Sequence, residues 1–475
     1  MRVAVLSSEA VPFSKTGGLG DVAGALPGAL RRASDTDAAL IVPLYETTKR
    51  ELLQERIIDD LEVEWHTPER ASVFYSEAKG APTFLIDAPR YFARPGFYGY
   101  RDDHERFAYF ARAALVLLKR LGGRPPDVVH LNDWFGGFAA TELRARRRYD
   151  GFFAGTRTLL SIHNLAYQGT FDPAELARLG FGGAEEQEAF QANGAASALK
   201  AGLVASDCLS TVSRRYALEI QTPEHGYGLD WILRARADRL VGITNGIDYD
   251  VWNPETDLHL AAHFSADDLT GKELCKLDLL RRFGLPLEPE RPVIAIVTRL
   301  TAQKGVDLIR EASGAILDSG AFFVALGSGA DEYEDFLQKM RNHAPHRVGF
   351  YAGFNESLAH QIEAGADIFL MPSLYEPCGL NQMYSMRYGT VPVVRATGGL
   401  DDTVEAFDRT AGAGNGFKFA PYTASALLEN LYEALYCYAE PEVWRAIQQN
   451  GMRADNSWAS AARRYAELYR AVARM

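Results

Sequence analysis

At 475 residues the chain is too long for one typical hydrophobic core, so two domains are expected. Hydrophobic residues at 47% and charged residues at 24% describe an ordinary globular protein, and no stretch reaches the roughly 18 to 20 apolar residues needed to span a bilayer. A formal net charge of −12 argues against broad nucleic-acid binding.

The first segment, MRVAVLSSEA, has too short an apolar run for a signal peptide and reads as a strand over Val3 to Leu6. A long loop follows, then a helix from Ala23 to Arg32. Gly18-Leu19-Gly20-Asp21-Val22-Ala23 matches the dinucleotide pattern GxGxxA formally. The match is set aside, because the glycines come about ten residues past the strand and no acidic residue closes a second strand. What remains is a flexible glycine-rich loop with the cation Lys15 at its tip, able to fold over an anion or a sugar.

Further strands are read at Ala39 to Val42, Phe84 to Ile86, Val128 to Leu131, Leu159 to Ile162, Leu209 to Val212 and Val241 to Thr244, mostly separated by helical patterns. This alternation predicts an α/β fold with a doubly wound parallel sheet. Polar residues recur at the strand ends, in His130-Leu131-Asn132-Asp133, Ile162-His163-Asn164 and Thr244-Asn245-Gly246, and together look like the floor of a site. The basic run Arg144, Arg146, Arg147, Arg148 reads as a solvated helix end. Cys208, Cys275, Cys378 and Cys437 lie far apart with no CxxC, as in a reducing compartment, so a cytoplasmic location is expected.

The aperiodic segment Asp248 to Lys272 reads as the domain linker. A second βα series follows, with strands at Val293 to Thr298, Phe322 to Leu326, Val348 to Phe350, Ile368 to Met371 and Val391 to Val394. Arg299 and Lys304 follow the first of these strands. Taken alone they are surface charges; at the same sheet edge as Glu376 they become partners for a diphosphate. Glu376 follows a buried strand, beside a helix start at Pro377, where open α/β sheets place ligands. A lone glutamate at a strand end is more often solvated or ion-paired than catalytic. After the next strand, Thr397-Gly398-Gly399-Leu400 leads into a helix near Asp401, and backbone N–H groups there can cradle a phosphate. The last helix, Trp458 to Val472, carries an apolar stripe and is core.

Five ordered motifs then resemble the glycogen and starch synthases: KTGGLGDV at 15–22, NGIDYDVWNP at 245–254, RLTAQKG at 299–305, YEPCGLNQ at 375–382 and TGGLDDTV at 397–404. The resemblance runs over essentially the whole chain. It implies a GT-B fold of two Rossmann-like domains facing a cleft: 1–250 on the acceptor side, 251–457 on the nucleotide-sugar side, and a helix at 458–475 crossing back to the first. It implies retaining transfer of glucose, usually from ADP-glucose, to the non-reducing 4-hydroxyl of an α-1,4-glucan, with no metal and no other cofactor.

Carried over residue by residue, Glu376 is the essential carboxylate, and Arg299 and Lys304 neutralise the leaving diphosphate. His163 and Asn245 contact the transferred sugar, while Lys15, Gly17 and Gly18 form the donor loop. Cys378, Gly379, Leu380 and Asn381 surround the sugar, Thr397, Gly398, Gly399 and Leu400 form a phosphate loop, and Tyr351 lies near the base. Asp133 and Tyr98 are expected on the acceptor side. The family's usual His-x-His-Asp-Trp-His is His130-Leu131-Asn132-Asp133-Trp134-Phe135 here, so two imidazoles are absent. The competing expectations are a GT-B transferase using UDP-glucose or another acceptor, and a glucan-binding homologue without turnover.

Overall fold

Val3 to Leu6 are apolar at four successive positions, and burial on both faces makes Arg2–Leu6 (β1) the middle of a sheet. The computed structural model describes residues 1–66 and 69–475. They form two units, one of residues 1–246 with 458–475 and one of residues 247–457.

In the first unit β1 is joined by β2 (Asp37–Pro43), β3 (Glu55–Val63), β4 (Glu69–Ala78), β5 (Ala81–Asp87), β6 (Val128–Asn132) and β7 (Arg157–Ile162). Three short strands, β8 (Thr170–Phe171), β9 (Gln191–Ala192) and β10 (Ala195–Ser197), make a separate small sheet. β11 (Cys208–Thr211) and β12 (Leu240–Gly242) return to the main one. Its order is β12-β11-β7-β6-β1-β2-β5-β4-β3, parallel except that β4 runs against both β3 and β5.

The β3–β4 hairpin does not appear in the sequence reading. Register shifts between Arg56 and Ile58 and between Ile58 and Leu61 break the two-residue alternation that would have announced it. The first helix is also longer than expected, Gly18–Ala33, so Gly18 and Gly20 belong to its first turn and the loop ends at Gly17. It packs Val22, Leu26 and Leu30 in one core with Trp458, Ala461, Tyr465 and Tyr469 of the helix Trp458–Val472. The arginine run is paired as well as solvated: Arg146 meets Glu142, Arg147 meets Asp207 and Arg148 meets Glu185.

The second unit holds six parallel strands: β13 (Val293–Val297), β14 (Phe322–Gly327), β15 (Val348–Ala352), β16 (Ile368–Met371), β17 (Val391–Arg395) and β18 (Phe417–Phe419). Their order is β15-β14-β13-β16-β17-β18. In each sheet the chain fills one side of a central strand and then restarts on its other side, between β1 and β6 and between β13 and β16. The crevice outside such a switch point is where α/β sheets bind ligands.

The segment 248–272 is not a linker. Asp257 is buried, bonded by Tyr388 Oη at 2.6 Å and facing His360 Nδ1 at 2.6 Å. Trp252 stacks between His360 and Tyr384, with ring centroids 3.7 and 3.9 Å away. Scattered charges hid this packing, because the apolar contacts come singly and not as a stripe. No helix among the described residues is long and apolar enough to cross a membrane.

Candidate active site

In the second unit, the loops leaving β13 and β16 carry Arg299, Lys304 and Glu376. Gly305 has φ of 74°, and a Cβ there would stand 2.1 Å from the Pro372 carbonyl oxygen, so only glycine lets the two loops close on each other. The loops are stitched by Leu374 N–H donating to Gln303 O at 2.8 Å. This approach sets Lys304 Nζ 2.5 Å from Glu376 Oε2, which also accepts from Ser373 Oγ at 3.2 Å. Glu376 is only 6% exposed, and a carboxylate so buried needs these partners. Arg299 is exposed, and its guanidinium has no hydrogen bond or ion pair among the described residues.

The turn Thr397–Leu400 differs from the expected cradle. Gly398 has φ of 45°, and a Cβ on Gly399 would lie 2.0 Å from the Cys378 carbonyl oxygen. Gly399 N–H donates to Glu376 O at 3.1 Å and to Pro377 O at 3.2 Å, while Leu400 N–H donates to Thr397 O at 3.1 Å. These two amides are used inside the protein, and the glycines admit the Glu376–Cys378 backbone against the helix Gly398–Thr403. Gln382 Nε2 reinforces the arrangement by donating to Cys378 O and Gly379 O, each at 3.1 Å. Asn381 Nδ2 donates to Val297 O at 2.6 Å, tying the helix after Leu380 to the end of β13. At the sheet's edge Tyr351 is 40% exposed near the end of β15, and Phe354, which the sequence reading passed over, is 81% exposed just beyond it.

In the first unit, Asp133 and His163 come together at the ends of β6 and β7. Asp133 has φ of 50°, unusual for a residue with a side chain. Its Oδ1 accepts from His163 N–H at 2.7 Å and Asn164 N–H at 3.4 Å. Burial pushes the Asp133 carboxyl up to about 7, with the two amides pulling the other way and Glu9 adding to the rise. His163 is lowered to about 4 by burial and is neutral. Asn132 Nδ2 donates to Leu6 O at 2.9 Å, which turns its Oδ1 toward His163 Nε2 at 2.8 Å. The neutral ring therefore carries its proton on Nε2 and offers Nδ1 as an acceptor. Asn132, standing where the family has an imidazole, is thus the residue that orients His163.

His130 is not part of a site floor. It is 1% exposed, with Nδ1 2.8 Å from Tyr469 Oη and Nε2 2.6 Å from Ser161 Oγ, and burial lowers it to about 3. Tyr98 Oη is 2.6 Å from Ser8 Oγ, and Lys15 pairs with Asp21 at 2.7 Å. Asn245 is 7% exposed, and its Oδ1 has no hydrogen-bond partner among the described residues. It follows β12 on the same carboxyl edge as His163, without a bond between them. Glu9, also at this edge after β1, drew no attention in the sequence because it stands alone in a polar run.

Two mostly parallel, doubly wound sheets, each with polar and charged groups at its switch point and one carrying a paired glutamate beside an unpaired arginine, define a glycosyltransferase of the GT-B fold. Residues 2–235 match the starch synthase catalytic domain family, and residues 280–451 match the glycosyl transferases group 1 family. A glycogen synthase from Anaeromyxobacter dehalogenans is 46% identical, covering 100% of this chain and 99% of that protein. The glycogen synthase of Geobacillus stearothermophilus is 43% identical, covering 99% and 97%. The catalytic domain of starch synthase IV from Arabidopsis thaliana, solved bound to ADP and acarbose, superposes with a TM-score of 0.91 at 34% identity, covering 100% and 99%. The chain belongs to the glycogen and starch synthase family.

Proposed function

We propose that the chain transfers glucose from ADP-glucose to the non-reducing 4-hydroxyl of an α-1,4-glucan, with retention at the anomeric carbon and without a metal or other cofactor. The observation that carries this reading is the Lys304–Glu376 pair beside the unengaged Arg299 at the β13/β16 switch point. The Arabidopsis relative's ADP and acarbose, a nucleoside diphosphate and an oligosaccharide analogue, agree with it.

Breaking the bond from sugar to phosphate builds positive charge on the sugar and negative charge on the diphosphate. In this reading Arg299 and Lys304 of the second unit take the departing diphosphate, and the Lys15–Gly18 turn is the donor-binding element of the first unit. Fixed cations aimed at developing charge stabilise the transition state without reorganising. Glu376, paired with Lys304, faces the sugar as its bond weakens. His163 Nδ1 and Asn245 Oδ1 accept from sugar hydroxyls, and Asp133 and Tyr98 serve the acceptor. The Thr397–Leu400 turn lies on the donor's phosphate side in this reading, with Gly399 also bonded to the Glu376 turn.

Initial rates with glycogen as acceptor, comparing ADP-glucose and UDP-glucose with and without EDTA, test the reading. A higher kcat/KM for ADP-glucose that survives EDTA, and a product cleaved by an α-1,4-specific glucosidase, are expected. A preference for UDP-glucose, loss of activity in EDTA or glucan binding with no transfer would each overturn the corresponding part.

A further inference from the structure

The reaction outlined above gives Glu9 no part, yet Glu9 is 3% exposed at the switch point between β1 and β6. Its carboxylate accepts from the Thr16 backbone N–H, and from the Thr16 hydroxyl at 3.1 and 3.0 Å on its two oxygens. The Gly17 N–H and the Tyr98 hydroxyl lie near enough to it to pull its pKa down. Residues 15–18 are exposed, and nothing lies within 4 Å of where a Cβ on Gly17 would stand. A solvent-facing turn is thus tied through the Thr16 amide and hydroxyl to a carboxylate buried beneath it. Burial raises the pKa of this carboxyl in spite of those hydrogen bonds, so its ionised form is kept at a cost in solvation. A neutral side chain could fill the same volume without that cost, and it could not gather the same groups.

We propose that Glu9 is a positioning residue for the nucleotide-sugar donor: its carboxylate fixes the Lys15–Gly18 turn in the form that receives the diphosphate. The inference rests on reading Lys15 and Gly17 as donor contacts. Glu9 draws the Thr16 N–H and hydroxyl inward, leaving Lys15 and the open space at Gly17 on the outer side. Lys15 is held in turn by Asp21, on the first turn of the helix that Gly17 caps. Without the carboxylate the turn populates other forms, and donor affinity falls by the fraction of molecules no longer competent. Tyr98 loses less, because Ser8 Oγ still holds its hydroxyl. The loss therefore falls on the donor more than on the acceptor.

The test uses the full chain with Glu9→Ala, Glu9→Gln and Thr16→Ala. Initial rates are measured against ADP-glucose at saturating glycogen and against glycogen at saturating ADP-glucose, and the Kd of ADP is measured by calorimetry. Glu9→Ala is expected to raise the ADP-glucose KM and the ADP Kd about tenfold, with the glycogen KM within about twofold of wild type. Glu9→Gln, which keeps one accepting oxygen, should recover part of the loss. Thr16→Ala removes the hydroxyl and one methyl group of an exposed residue and should weaken ADP about two- to threefold, a readout that stands even if the Glu9 variants fail to fold. An unchanged ADP Kd in folded Glu9→Ala or in Thr16→Ala would overturn the proposal, as would donor and acceptor KM rising equally. Failure of the wild type to bind ADP would overturn the donor reading itself, a result separate from any variant.

Discussion

Lys304 Nζ and Glu376 Oε2 stand 2.5 Å apart, so a lysine read in the sequence as a cation for the diphosphate is first the counter-ion of the candidate carboxylate. Arg299, on the same loop, has no such duty, and the two cations should therefore fail differently. With side chains 17% and 8% exposed, the Lys304–Glu376 pair leaves a buried, uncompensated charge when Lys304→Met removes one partner. The expected destabilisation is of the order of 3 kcal/mol, seen as a lower Tm along with lost turnover. Arg299→Ala should leave Tm within about a degree and raise the donor KM, since an exposed substitution costs little stability. Glu376→Gln should fold and lose at least roughly 100-fold in kcat, the scale for one preorganised group. Equal Tm for Lys304→Met and Arg299→Ala would remove the counter-ion role.

Gly399→Ala should damage the site through the backbone. Its Cβ would come 2.0 Å from the Cys378 carbonyl oxygen and 2.5 Å from the Cys378 Cα, and neither can move without shifting the Glu376 turn. A cost of about 1–3 kcal/mol is expected, with a fall in kcat that matches a displaced Glu376. Gly17→Ala is the control for stability, since that position opens onto free space. Thermal melts and kcat of the two variants check this; an unchanged Gly399→Ala would mean the turn adapts freely.

The parallel strands were legible because buried βα units give short, continuous apolar runs, and Ile368 to Met371 and Val391 to Val394 lie where that signal put them. The helix Trp458–Val472 was legible from its stripe. Glu376, Arg299 and Lys304 were legible as groups at strand ends, since topology alone brings those ends together. Bonding within the site was not. That Gly399 N–H would be taken by Glu376 O, that Asn132 would orient His163, and that His130 would be core depend on groups well separated in sequence. Position along the chain places a residue at an edge; which neighbour consumes its hydrogen bonds is decided by packing.

Asp133 and the two histidines pull stability in opposite directions with pH. Asp133 is raised to about 7 when folded, above its unfolded value near 4, so the folded state holds the extra proton between those limits. Its contribution is complete below about pH 4 and is lost as pH rises through 7. His130 and His163, lowered to about 3 and about 4, stay neutral in the folded state, while the unfolded chain takes up protons below about pH 6.5. Their contribution is present above that pH and is lost on acidification. The wild-type profile is the sum, and Asp133→Asn isolates one part of it. The Tm of Asp133→Asn relative to wild type should rise between pH 5 and pH 8; a difference independent of pH would mean that Asp133 is ionised across the whole range.

The base of a bound nucleotide needs an exposed ring to stack on. Tyr351 was expected to lie near it, but the structure offers two rings at the end of β15, Tyr351 at 40% exposure and Phe354 at 81%. β15 lies two strands from β13, a lateral distance of about 10 Å at ordinary strand spacing, within the reach of an extended nucleoside diphosphate whose phosphates lie at Arg299. Tyr351 is paired in the strand opposite Leu326, which fixes its backbone within the sheet. Phe354 lies past the strand, directly before Asn355, whose side chain accepts from Leu358 N–H and caps the next helix. Its ring is held at the backbone but open on its faces, as a stacking surface must be. Phe354→Ala should therefore weaken ADP binding about tenfold, corresponding to roughly 1.4 kcal/mol, with little change in Tm because so exposed a ring contributes little to the core. Phe354→Tyr should restore affinity, and Tyr351→Ala should cost less. Calorimetric titration of ADP into the three variants decides between the rings. A loss confined to Tyr351→Ala would return the role to the residue first expected to hold it.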